Sequence, residues 1–222
     1  MPILQKIVIS NFRNIEFQEL EFSPKINCIW GNNGEGKTNL LDAVYYLSMT
    51  KSALGINDSF NCRHGQDGFS IAGTCQMPSA LTNRFSIVVK KGEEKKLRCD
   101  DKPYGRISEH IGKLPTVIIS PSDISLVSDS GEERRRFMNA VVSQIDREYL
   151  SAIQQYNRLL AQRNRMLKDG VCDATLLEVI GIKMSSHADF IHRKRAELCE
   201  PLTEAVNEYY RRLSGGSESV SI

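Results

Sequence analysis

Eight consecutive residues, Gly31-Asn32-Asn33-Gly34-Glu35-Gly36-Lys37-Thr38, fit the pattern G-x-x-x-x-G-K-[ST] and constrain this chain more than any other feature. Such a loop cradles phosphates where a buried strand ends and a helix begins, so it predicts the order strand, loop, helix and an α/β fold. The surroundings agree. Ile26-Asn27-Cys28-Ile29-Trp30 is a short apolar run that reads as a buried strand, and Leu40, Leu41, Val44 and Leu47 recur at helical spacing beyond the loop. The glycines let the backbone turn sharply and bring N–H groups to a ligand's β- and γ-phosphates. A helix starting near Gly36 adds the positive end of its dipole. Lys37 is expected to bridge phosphate oxygens, and Thr38 to offer its hydroxyl to Mg²⁺, a hard cation that prefers oxygen. The expected ligands are ATP and Mg²⁺. The competing structural reading is a glycine turn that caps a helix beside an incidental lysine.

At 222 residues, 41% hydrophobic and 25% charged, the chain has the composition of one large domain or two small ones. Leu4, Ile7, Ile9 and Phe12 alternate with polar neighbours and Phe17, Leu20 and Phe22 follow similarly, which predicts two strands. Lys51 to Gly68 reads as a connecting loop. Phe69–Cys75, Arg84–Lys91 and Glu94–Cys99 read as a three-stranded meander, and Leu114–Ser120 as another buried strand. Helical periodicity then takes over from about Gly131. Leu150, Ile153, Tyr156, Leu160 and Leu167 mark one amphipathic helix, and Leu177, Ile180, Met184, His187 and Ile191 a second. Lys168-Asp169-Gly170 separates them as an antiparallel hairpin, and Pro201 predicts a kink or restart. The expected domains are residues 1–130, a helical arm 131–213, and a return strand 214–222. Because Ser219-Val220-Ser221-Ile222 opens like a strand with no room for a partner, the chain is expected to be a piece of a longer protein.

Other features limit the chemistry. No apolar run approaches membrane-helix length and the N-terminus lacks the segments of a signal peptide, so a cytoplasmic protein with no membrane partner is expected. The six cysteines (Cys28, Cys62, Cys75, Cys99, Cys172 and Cys199) show no zinc or disulfide spacing and read as reduced thiols. His64, His110, His187 and His192 have no metal or acid–base spacing. Trp30, Tyr45 and Tyr46 read as core residues. Residues 132–212 hold fourteen Lys and Arg against twelve Asp and Glu, so the helical part is not a basic arm.

The wording of the loop and its flanks resembles a known family. Asn-Phe-Arg-Asn at 11–14, Asn39-Leu40-Leu41-Asp42-Ala43-Val44-Tyr45-Tyr46-Leu47 and Lys51-Ser52 are similar to the ABC-type, SMC-like ATPases of the RecF family. So are Pro121–Val127, Glu133-Arg134-Arg135-Arg136-Phe137 and Tyr156–Asn164. The resemblance implies an α/β ABC-type ATPase head, incomplete in this chain, with the meander on one side and an inserted helical arm. It extends the nucleotide-binding residues to Asn39 and Arg13. It further implies ATP-dependent homodimerisation of the full-length protein, binding of double-stranded DNA near single-strand gaps, and RecA loading with RecO and RecR in recombinational repair and SOS induction. Weak DNA-dependent ATPase activity is implied for the full-length protein. The family's catalytic acid and serine-glycine signature are expected beyond Ile222, so residues 1–222 are expected to bind nucleotide without turning it over.

Two departures stand out: Ala53-Leu54-Gly55 replaces the family's usual residues after Lys51-Ser52, and Asn139 stands where Asp is commoner. Another SMC-like ATPase, such as a defence nuclease subunit, or a phosphotransferase are the alternatives. Leu213-Ser214-Gly215-Gly216 imitates the signature, but the helix precedes it. A glycine cap with positive φ is expected there, because a helix C-terminus repels phosphate.

Overall fold

Ile7 and Ile9 project from one side of β1 (Ile3–Phe12) and are fully buried, as their spacing of two requires, and Phe12, which follows Asn11 at φ 55°, is fully buried as well. The computed structural model describes residues 1–129, 131–170 and 173–222, and the chain divides into two units, Met1–Ser122 and Asp123–Ile222. In the first unit a tight turn returns β1 into β2 (Ile15–Glu21). The meander does not form a separate insert: β3 (Gly68–Gln76) pairs with the free side of β1, followed by β4 (Thr82–Lys90), β5 (Lys96–Cys99) and the two-residue β6 (Lys102–Pro103). The result is one antiparallel sheet in the order β2-β1-β3-β4-β5-β6.

Its apolar face carries Ile7, Ile9, Phe69, Ile71, Phe85, Ile87 and Leu97, and α1 (Lys37–Met49) buries Leu40, Ala43, Tyr46 and Leu47 in the same core. Phe12, Tyr46 and Phe69 meet edge to face at 5.2–5.9 Å between ring centres, the arrangement favoured by aromatic quadrupoles. Gly73 permits the close approach of α1. A Cβ there would lie 2.3 Å from Leu47 Cδ2. His110 is buried against the end of α1, with Nε2–H donating to the Leu47 carbonyl at 2.7 Å and Nδ1 facing the Tyr104 hydroxyl at 3.3 Å. Within the expected loop, α2 (Asp58–Asn61) supplies Asp58 to the Tyr46 hydroxyl at 2.6 Å.

Two expected buried strands are not strands. Residues 26–30 are irregular, with Ile26 and Trp30 81% and 90% exposed, and residues 114–120 are irregular with Ile119 84% exposed. An apolar run becomes a strand only where a neighbour pairs its N–H and C=O groups. Among the described residues every ladder lies between members of the set β1–β6, and neither segment takes part in one. Trp30 is therefore no core residue here. Tyr46 is.

The second unit begins at Asp123, upstream of the expected boundary at 130/131, and runs through α3 (Ser125–Ser128), α4 (Gly131–Ile145), α5 (Arg147–Lys168) and α6 (Ala174–Ser214). Asp146 caps α5 by accepting from Tyr149 N–H at 2.9 Å, and Asp173 caps α6 through Leu176 N–H at 3.1 Å. Tyr149 and Ala152 near the start of α5 pack with Ile191 far along α6, and Phe190 and Leu198 join them. With the connection at α5's other end, the two helices run antiparallel, as expected. Tyr149 and Arg195 both donate to Asn139 Oδ1, at 2.5 and 2.8 Å, so Asn at this position still supplies the acceptor oxygen that an Asp would.

Pro201 does not restart α6. The helix runs unbroken through it, and two residues on, the Thr203 hydroxyl donates to the Cys199 carbonyl at 2.7 Å. Nor do residues 219–222 form a strand, because the Asn207 side-chain amide exchanges two 2.8 Å bonds with the Val220 backbone and ties the tail to α6. No helix among the described residues is long and apolar enough to cross a membrane. Cys28, Cys62, Cys75, Cys99 and Cys199 are free thiols, and Cys172 lies outside the described residues.

Gly73→Ala is expected to lower stability by about 1–3 kcal/mol through overpacking against Leu47, read from a urea-unfolding midpoint. Burial draws the His110 imidazole below the ordinary histidine range, the Leu47 carbonyl opposing it. The unfolded chain then binds a proton near pH ~6.5 that the folded chain refuses, so this site's stability is present above that pH and lost as pH falls. The unfolding midpoint should drop less between about pH 7 and 5 in His110→Gln than in the parent.

Candidate nucleotide site

The loop of residues 31–36 leads directly into α1, whose N-cap is Gly36 at φ 99°. A Cβ at Gly36 would meet the Asn14 side-chain amide at 2.7–2.8 Å and displace it, and the left-handed backbone there disfavours any residue but glycine. Three contacts shape the loop. Lys37 Nζ curls back to donate to the carbonyls of Gly31 and Asn32 at 2.8 and 2.7 Å. The Glu35 carboxylate accepts from the Asn32 backbone N–H and from its side-chain amide, each at 2.8 Å. Asn14 Nδ2 donates to the Gly34 carbonyl at 3.3 Å while Asn14 Oδ1 accepts from Asn39 Nδ2 at 2.7 Å. The loop's outer surface, including Asn33, Gly34 and Thr38, is exposed. The free N–H groups of α1's first turn, its dipole and Lys37 give this surface an attraction for anions.

Thr38 lies one residue into the helix with its side chain at the surface. No cluster of three or more His, Cys, Asp or Glu exists among the described residues that would hold a cation alone. A hydroxyl completed by a ligand's phosphate oxygens and water suits Mg²⁺, which keeps several waters, so the residues present fit that ion.

Arg13 sits elsewhere than the phosphate position expected of it. The turn between β1 and β2 holds it at φ 53°, and its guanidinium points inward. There it is ion-paired with Asp42 and donates to Asn39 Oδ1 at 3.0 Å, Ser52 Oγ at 2.9 Å and Asn61 Oδ1 at 3.0 Å from both Nε and Nη2. Asp42 is fully buried, and it also accepts from Ser52 Oγ at 2.9 Å and Ala53 N–H at 2.7 Å. Burial lowers the Arg13 pKa from its ordinary value, and the Asp42 charge opposes that. Arg13 therefore reaches the loop only through side-chain amides: it holds Asn39, Asn39 holds Asn14, and Asn14 holds Gly34.

The structure thus gathers Gly31 to Asn39 on one surface and assigns Arg13 to the support behind it. The partners Asp42, Ser52 and Asn61, and the relay through Asn14, did not stand out in the sequence as a cluster. One signal was present: Asp42 falls among Leu40, Ala43, Tyr46 and Leu47 on the buried side of α1, where a charge needs a partner. Of the helical-region arginines, Arg134 donates to the Leu126 and Asp129 carbonyls at 3.1 and 3.2 Å, and Arg136 pairs with Glu133 at 3.1 Å. At the signature look-alike, α6 ends at Ser214, and Gly215 and Gly216 have φ of 66° and 83°. The helix precedes the glycines, as expected of a cap.

Residues 6–209 match the family described as AAA domain. The chain is 40% identical over 220 residues to the DNA replication and repair protein RecF of Parabacteroides distasonis, and 41% identical over 220 residues to that of Porphyromonas gingivalis. Each alignment covers 99% of this chain and 60% of the relative, so the chain spans about 60% of the length of the curated relatives it matches. A solved structure of the recombination mediator protein RecF with ATP, in the RecFOR pathway, superposes with a TM-score of 0.89 at 29% identity, over 96% of this chain and 58% of that one. The Smc head domain of Pyrococcus furiosus superposes with a TM-score of 0.55 at 16% identity, over 96% of this chain and 66% of that one, a likeness of fold alone.

Removing Arg13 strands a buried carboxylate. Arg13→Met is expected to destabilise by about 3–5 kcal/mol, whereas Arg13→Met combined with Asp42→Leu should recover much of that loss, since the unpaired charge goes with its partner. Denaturant unfolding of the two single variants and the double variant checks it.

Proposed function

The chain belongs to the AAA domain family, with the α/β fold of the N-terminal part of an ABC-type ATPase head and homology to RecF along nearly all of its length, and from that premise we propose that its glycine loop binds ATP with Mg²⁺ in DNA replication and repair. The observation that carries the reading is the geometry of residues 31–38: a loop with Gly31, Gly34 and Gly36 at positive φ ends on the N-terminus of α1, with a lysine folded across it. On binding, Lys37 exchanges the Gly31 and Asn32 carbonyls for phosphate oxygens, which form stronger, charge-assisted bonds. Gly34, Gly36 and the first turn of α1 present their N–H groups, and Thr38 offers its hydroxyl to Mg²⁺. Asn39 stays on Arg13 and Asn14, holding the loop rather than gripping the ligand.

The similarity to RecF supports the wider reading. The whole protein would dimerise when ATP is bound, engage double-stranded DNA near single-strand gaps and act with RecO, RecR and RecA. Its ATP serves as a switch, because a ligand that completes an interface shifts the equilibrium toward the closed pair. Its DNA contacts would be chiefly with backbone phosphates, which carry no sequence information.

ATP with Mg²⁺ at about a hundred times its dissociation constant should stabilise the folded chain by roughly 2.7 kcal/mol, seen as a rise in Tm. Lys37→Ala should abolish the rise while leaving the unliganded Tm close to the parent's, since Lys37 bonds only exposed loop carbonyls. A folded parent whose Tm does not move in saturating ATP would overturn the assignment.

A further inference from the structure

Opposite its apolar face, the sheet of the first unit carries a second surface that the nucleotide site does not use. The cross-strand pairs Ser70 with Val88, Ala72 with Ser86, Ser86 with Arg98 and Val88 with Lys96 place short side chains in the middle and long cations along one side. A trough of about 410 Å³ results, with Ser70, Ala72, Ser86 and Val88 in its floor. Arg84 and Lys90 stand at its two ends along β4, six residues or about 20 Å apart. Lys96 and Arg98 extend from β5, and Asp101 is the one acid lining it. Lys90 and Lys96 share Glu93, at 3.9 and 2.6 Å, but the guanidinium groups of Arg84 and Arg98 have no ion-pair partner among the described residues.

We propose that this outer face of β3, β4 and β5 is a contact surface for the phosphate backbone of duplex DNA. It rests on the DNA-binding reading above and gives that reading a place in the chain. Solvated sheet faces commonly intersperse both signs of charge, whereas here four cations border the floor against Asp101 in the lining and the Glu93 that Lys90 and Lys96 share, which leaves the surface net positive. The small floor lets a wide, stiff polyanion come down to the level at which the cations meet its phosphates. None of the lining residues is aromatic, so the trough lacks the stacking platforms by which single strands are gripped. Arginines that are exposed and unpaired also lose no internal bond when they take up a phosphate.

Fluorescence anisotropy of a labelled mixed-sequence duplex, titrated with the parent chain and with Arg84→Gln/Arg98→Gln over a range of salt, tests the surface. Each lost phosphate contact should flatten the log–log salt dependence by about 0.9, so the double variant's slope should be shallower by about 2. A fourfold rise in salt should then weaken the parent roughly tenfold more than the variant. Arg84→Lys/Arg98→Lys should keep the parent's slope, and both variants should keep the ATP-induced rise in Tm. In the unsubstituted chain, duplex DNA should shield Lys90 and Lys96 from amine acylation. A parent that binds duplex while the glutamine variant shows the same affinity and slope, or while Lys90 and Lys96 react as fast as without DNA, overturns the surface and leaves the DNA-binding reading standing. A parent that binds no duplex even at low salt overturns both.

Discussion

The ion pair between Arg13 and Asp42 joins three segments far apart in sequence: the turn after β1, the middle of α1 and the loop that follows it. Neither charge is tolerable in the core alone. Desolvating a carboxylate costs several kcal/mol, and that cost is offset here because Asp42 receives Arg13, the Ser52 hydroxyl and the Ala53 N–H together. Asn61 adds a fourth segment by accepting from the same guanidinium.

From that anchor the order passes outward to the phosphate loop. A glycine-rich loop has high conformational entropy, and holding it ready for a ligand costs free energy that must come from its surroundings. Here it comes from polar side chains that bind loop carbonyls and N–H groups: Asn14 on Gly34, Glu35 on Asn32, Lys37 on Gly31 and Asn32. The lysine bonds are exposed and weak enough to exchange, whereas the amide relay runs back to a buried guanidinium. The loop is therefore held from two sides, by a lysine folded across it and by an amide relay that ends on the buried guanidinium. On its other side α1 is seated by Tyr46, Leu47 and the Gly73 gap, so the same thirteen-residue helix that presents its N-terminus to the loop is fixed to the sheet by its apolar face.

How much of this was legible in the sequence depends on how local each signal is. The loop, the helix after it and the glycine cap after Ser214 are set by residues within a turn or two of one another, and they were readable; the antiparallel helix pair was readable from its two apolar stripes and the Gly170 between them. Residues 26–30 and 114–120 were not. Their apolar composition suits a strand, but a strand exists only with a hydrogen-bonded neighbour, and the ladders here belong to other segments. The restart expected at Pro201 does not occur for the opposite reason: a proline removes a single helical bond, and the rest of a 41-residue helix carries the chain past it. Asn139 looked like a departure, yet its Oδ1 receives both Tyr149 and Arg195, so the chemistry needed at that point survives.

By itself the sequence determined that a glycine-rich loop would begin a helix, that alternating strands would precede and follow it, and that amphipathic helices would fill the remainder, because each of these follows from spacing along the chain. Only the tertiary structure decided what Arg13 does, which strands share a sheet, and that β1 lies between β2 and β3. It also decided that one face of the meander would gather cations over a small-residue floor. Those outcomes depend on which buried charges and unpaired backbone groups find partners tens of residues away, and a one-dimensional pattern of apolar and polar residues carries no distance information across that separation.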